Sequence, residues 1–182
     1  LVRGDPMDAK TKIAPMDSQL AKEKVQRQID RAVTDGAKVY YGNQPIDLPG
    51  QFIQPTILTD IVPDNPEFYD EMFGPVAQVF KVSSDEEAIQ LANNSELGLG
   101  GIVVSNDAQH GRTVAEKIET GMVFVNSFLV SLPELPFGGV KGSGYGREMS
   151  QLGLTAFTNE KLIVTAQEPD WNNPAGGLAV FK

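Results

Sequence analysis

Six residues in mid-chain, EMFGPV (Glu71–Val76), set a carboxylate, an aromatic ring and a Gly-Pro turn directly ahead of a β-rich run. At a strand end this set suits contact with a ligand, because α/β sheets bind nucleotides at such ends. A solvated glutamate beside a loop phenylalanine fits the same residues. Glu67, Asp70 and Glu71 also lie close in sequence, and their spacing favours a solvated acidic face over a convergent carboxylate cluster.

The second chemistry-bearing stretch is PELPFGGVKGSGYGREMSQLG (Pro133–Gly153), with Phe137, Lys141, Tyr145, Arg147 and Glu148 interleaved among its glycines. No register matches G-x-G-x-x-G, and the Gly-Lys-Ser/Thr ending of a P-loop is missing, so phosphate cradling is not supported. Two readings stay open: a tightly turning loop, or backbone passing close to a ligand or another subunit, which glycine permits because it has no Cβ. His110, the single histidine, falls in the first turn of a helix among polar neighbours and reads as a solvated surface residue. No triad or metal cluster can be assembled around it, and no metal site is expected. Cysteine is absent, which excludes disulfides, zinc-thiolate sites and a thiol nucleophile within this chain.

These loops need a scaffold. Asp17 is the expected cap of a helix over 18–35, with Ala21, Val25, Ile29 and Ala32 at helical spacing and Gly36 as terminator. AKVYYG (Ala37–Gly42) reads as a strand, and QFIQPTIL as an extended segment. PVAQVFKV (Pro75–Val82), GGIVVSN and MVFVNS are apolar runs separated by two helical segments. Ser84 and Glu87 have capping-box spacing at the start of one; Asp107 caps the other, which Gly121 stops. The order strand–helix–strand–helix–strand predicts an α/β fold with parallel strands buried on both faces. A short helix is expected near Arg147–Leu152, then a final amphipathic strand, EKLIVTA, whose apolar edge calls for a partner such as a neighbouring subunit.

The 182 residues suffice for a full domain, or a domain plus an arm. The net charge of −9, with no basic stripe, argues against nucleic acid. No apolar run reaches the roughly 20 residues that span a bilayer, so no membrane partner is expected. Without cysteine, a reducing, cytoplasmic location is the expectation.

EMFGPV and PFGGVKGSGYGREMSQLGL together closely resemble the carboxy-terminal half of NAD(P)-dependent aldehyde dehydrogenases. GDPMDAKTKIAPM, ANNSELGLGGIVVSND and TGMVFVNS resemble further family segments in order and spacing. The resemblance implies the parallel-sheet, Rossmann-like α/β portion of a catalytic domain over 1–154, followed by an oligomerisation strand and tail over 155–182. In that family a cysteine thiolate attacks the aldehyde, hydride passes to NAD or NADP, and a glutamate-activated water releases the acid from a thioester. The cysteine, that glutamate and the dinucleotide-binding half precede the matched region. The chain is therefore expected to be a fragment, inactive alone, of an enzyme that works as a homo-oligomer, dimer or tetramer, on a small aldehyde. An inactive stand-alone oligomerisation or binding module is the alternative.

By resemblance, Glu71 accepts hydrogen bonds from the nicotinamide-ribose hydroxyls and Phe73 packs beside ribose and nicotinamide. Phe137 lines the aldehyde tunnel, with Phe128 and Ser131 nearby. Glu148 falls on a glutamate implicated in a proton relay in some members. A serine at the spacing of Ser131 before PFGG resembles a succinate-semialdehyde branch, where it bonds the substrate's far carboxylate. Glu134 would repel that carboxylate if it faced inward.

Overall fold

The computed structural model describes residues 1–164, which form two compact units, Leu1–Glu96 and a second beginning at Leu97. The division falls inside the 1–154 segment expected as one portion. In the first unit α1 (Gln19–Thr34) starts one residue later than the sequence suggests: Ser18, not Asp17, is the cap, its Oγ accepting from Ala21 N. Both residue types cap well, and the one with its oxygen aimed at the third amide takes the role. Val25, Ile29 and Ala32 are buried as expected, and they pack with Ala37, Ile53, Leu58 and Ile61. Gly36, at φ +102°, ends the helix. β1 (Lys38–Tyr41) pairs antiparallel with β2 (Thr56–Thr59), and β2 pairs parallel with β3 (Val76–Val79).

α2 (Asp85–Asn93) is capped by Ser84 Oγ, which accepts from Glu87 N at 3.2 Å. The Glu87 carboxylate reaches back one residue beyond a capping box, accepting from Ser83 N and Ser83 Oγ. Those two bonds hold the Glu87 carboxyl below its ordinary range. A depressed carboxyl stabilises the fold above its unfolded value, and that share is lost as pH falls through the folded value. The stability gap between wild type and Glu87→Ala should therefore be full at neutral pH and close on acidification, as thermal unfolding between neutral pH and pH about 3 would record.

In the second unit β4 (Gly100–Val103) pairs parallel with β5 (Met122–Val125). α3 (Ala108–Ala115) between them is capped by Asp107, whose Oδ1 accepts from Gln109 N and His110 N, and it packs on both strands. A methyl at Gly111 would lie 2.8 Å from Val125 Cγ1, so that turn sits directly on the sheet. The helix stops at Ala115, well before Gly121. α4 (Ser150–Thr155) begins three residues later than expected.

Two expectations are corrected. The three apolar runs do not share one sheet: β3 belongs to the first unit's sheet, while β4 and β5 form their own. Nor are the strands buried on both faces, since Ala77, Val79 and Ile102 are exposed. A helix covers one face of β4–β5, and among the described residues Ile102 is left half exposed. Of the expected EKLIVTA strand, residues 160–164 carry no strand, with Leu162, Ile163 and Val164 exposed; its end and the polar tail lie outside the described residues.

Candidate functional site

Two surfaces carry the predicted site residues, one in each unit. In the first, Asn65 is buried and ties the loop ahead of β3 to α1: its Nδ2 donates to Ala32 O at 2.9 Å, and its Oδ1 accepts from Glu67 N. The 3-10 turn Pro66–Phe68 follows. Glu67 is 0% exposed, which corrects the reading of a solvated acidic face at this residue, while Asp70 and Glu71 are exposed as expected. Its Oε1 accepts from Arg31 Nε and Nη2, its Oε2 accepts from Gln28 Nε2 at 3.1 Å, and its carbonyl accepts from Gln78 Nε2. Asp70 lies at the edge of this network, 3.5 Å from Arg31 Nη2. Burial of a carboxylate is tolerable only with such partners.

Downstream of this anchor the chain turns sharply. Gly74 N donates to Met72 O at 2.7 Å, closing a three-residue turn with Phe73 at its apex. Gly74 rests on α1, where a methyl would meet both Val25 γ-carbons at 3.0 Å. Gln28 Nε2 also donates to Glu71 O at 3.2 Å. Glu71 and Phe73 thus project from one clamped turn at the start of β3. Phe73 is 74% exposed, and the exposed Glu71 carboxylate has no partner among the described residues. An acceptor with two oxygens and an open aromatic ring, two residues apart on a clamped turn, are equipped to hold a vicinal diol and a flat ring.

In the second unit the glycine stretch makes a closed loop. Phe137 and Glu148 exchange two backbone hydrogen bonds, 2.9 and 2.7 Å, so two predicted site residues stand side by side. Arg147 Nη1 donates to Gly139 O and Gly146 O, which makes it a staple of the loop. Gly98 O accepts from both Gly121 N and Val140 N, and Ser143 Oγ accepts from Gly98 N. The glycines bring backbone onto backbone, at Gly121 against Gly138 and at Gly138 against Gly146. Phe137 and Glu148 line a cleft of about 890 Å³ with Pro133, Tyr145, Leu154 and Phe157 among its walls.

Phe128 and Ser131 lie on the loop after β5 and do not line that cleft. Asn126 launches the loop at φ +53°, with Oδ1 accepting from Ser105 N and Nδ2 donating to Ser105 O. Leu129 anchors it, since a methyl at Gly100 would lie 2.6 Å from Leu129 Cδ1. Phe128 is 84% exposed and Ser131 is exposed. Gln28 and Asn126 escaped the sequence reading, which weighed Glu67 only as a solvated acid. Only Asn126, a turn-forming residue directly after an apolar strand, left a local signal.

The α/β frame thus sets an acceptor–aromatic turn immediately ahead of the parallel strand β3. Residues 1–163 match the Aldehyde dehydrogenase family, and the chain belongs to that family. It is 47% identical over 171 residues to a succinate-semialdehyde dehydrogenase [NADP(+)] of Deinococcus radiodurans, covering 92% of this chain and 36% of the relative. A crystal structure of succinic semialdehyde dehydrogenase from Streptococcus pyogenes with NADP+ superposes at TM-score 0.88 with 54% identity, over 90% of this chain and 36% of that one. Betaine aldehyde dehydrogenase from Staphylococcus aureus, in complex with NAD+, gives 0.81 and 34% over 86% and 32%. The chain thus spans about a third of the length of the relatives it matches.

Proposed function

We propose that this chain is the cofactor- and substrate-contacting carboxy-terminal part of an enzyme that oxidises succinate semialdehyde to succinate with NADP+. The observation that carries the reading is the clamped turn presenting an unpartnered Glu71 carboxylate beside the open Phe73 ring. NADP+, when bound, supplies the hydride acceptor. Glu71 holds the nicotinamide-ribose hydroxyls, and Phe73 packs on the ribose and ring. In the second unit Phe137 and Phe128 offer apolar surface to the aldehyde chain. Ser131 donates to the substrate's far carboxylate, and Glu148 passes protons. The nucleophilic thiol is not among these 182 residues, so the chain's residues position and do not attack.

Leu162, Ile163 and Val164, apolar and exposed, support pairing of the terminal segment with a second copy in a homo-oligomer. Among the described residues no helix is long and apolar enough to cross a membrane. A cytoplasmic enzyme is the reading consistent with a cysteine-free chain.

Substrate choice tests this reading. A site that pairs a carboxylate rejects the analogue lacking it, because its polar groups are then left unsatisfied. In the protein as its host makes it, kcat/KM for succinate semialdehyde should exceed that for butanal by about a hundredfold or more, and Ser131→Ala should narrow the gap. Equal turnover of the two aldehydes would refute the assignment of substrate.

A further inference from the structure

Gln28 is the one polar side chain on the buried face of α1, 5% exposed among Val25, Ile29 and Ala32. Its Nε2 is shared between Glu67 Oε2 at 3.1 Å and Glu71 O at 3.2 Å. Its Oε1 is buried with no hydrogen-bond partner among the described residues. Turning the amide over would not help, because it would set an oxygen against two oxygens. An orphaned buried acceptor destabilises a fold, and an apolar side chain of the same shape would avoid it. Gln28 therefore carries a cost that an apolar residue would avoid, and its Nε2 serves both the buried Glu67 carboxylate and, alone among the described side chains, the main chain of Glu71.

We propose that Gln28 is a positioning residue: it fixes the backbone of Glu71 against the buried Glu67–Arg31 pair, so that the Glu71 carboxylate stands where the ribose hydroxyls meet it. This rests on the reading of Glu71 given above. The tether passes from α1 to the carbonyl of residue 71 while Val25 seats Gly74 on the other side of the turn. Two contacts from one helix, Val25 and Gln28, thus bracket Met72 and Phe73. Loss of the polar contact frees the Glu71 end of the turn and leaves the Gly74 end seated. A misplacement of about 1 Å can cost on the order of a hundredfold in rate, and a turn released at one end should show part of that.

The test is hydride transfer in a single turnover at saturating NADP+, per active site, in the complete enzyme. Gln28→Met keeps length and volume while removing both donors; Gln28→Leu serves if the first variant does not accumulate as folded protein. The expected result is transfer about tenfold slower per folded active site, and no further loss of rate when Gln28→Met is added to Glu71→Ala. A merely structural role would instead lower the folded fraction and leave transfer per folded site at the wild-type rate. A wild-type rate in Gln28→Met, with Glu71→Ala slowed, overturns the proposal and leaves the ribose reading standing. A wild-type rate in Glu71→Ala overturns the ribose reading itself, and this proposal with it.

Discussion

Gly121→Ala should cost about 3 kcal/mol or more of stability and leave little folded protein at elevated temperature. A Cβ at residue 121 would stand 1.9 Å from Gly138 O and 2.8 Å from both Gly138 C and Gly139 Cα. Those atoms are backbone, so no rotamer change relieves the overlap. The segment they belong to is also held in place, by the Phe137–Glu148 bridge on one side and by Val140 N on Gly98 O on the other. Relief would require the glycine loop to leave β5, breaking the hydrogen bonds that shape the cleft. Gly101→Ala is the control, because its new methyl would find Ile118 Cγ2 at 3.5 Å, an ordinary contact. Thermal unfolding of the two variants should separate them widely, and equal midpoints would show that the close approach at Gly121 is not maintained.

Glu67→Ala should be nearly as damaging, at about 3 kcal/mol. The substitution empties a fully buried site and strands the Gln28 amide, and Arg31 loses its buried partner. Arg31 is half exposed and can fall back on Asp70, which keeps the cost toward the lower end for a broken buried pair. Glu67→Gln retains the volume but sets its NH2 group against one of the two donor side chains, Arg31 or Gln28, and should lose about half as much. Denaturant unfolding measures both. A loss below about 1 kcal/mol in Glu67→Ala would mean that the pair contributes no more than an exposed one.

What was legible in the sequence followed from local chemistry. The caps at Ser84 and Asp107 bond amides two or three residues away, so type and spacing suffice to place them. At Asp17–Ser18 two competent caps stand together, and only the geometry selects the second. Gly121 was read as a helix terminator. The helix ends earlier, and the glycine is needed because Gly138, seventeen positions on, crosses it. Sheet membership was the larger miss: periodicity marks β3, β4 and β5 as apolar runs, but strand partners are long-range facts. The same limit hid the network behind the candidate site. Glu67 looks solvated beside Asp70 and Glu71, and its burial arises from Arg31 and Gln28, thirty-six and thirty-nine residues upstream. Glu71 and Phe73 could be singled out because they are neighbours in sequence; the helix that clamps their turn could not.

The measurement that tests the account most directly is single-turnover hydride transfer by Glu71→Ala in the complete enzyme at saturating NADP+. The side chain is exposed and has no partner among the described residues, so the variant should unfold where wild type does. Transfer should be slower by about a hundredfold if the carboxylate holds the ribose in register with the reacting carbon. An unchanged rate in a folded, NADP+-saturated variant would contradict the role given to this turn.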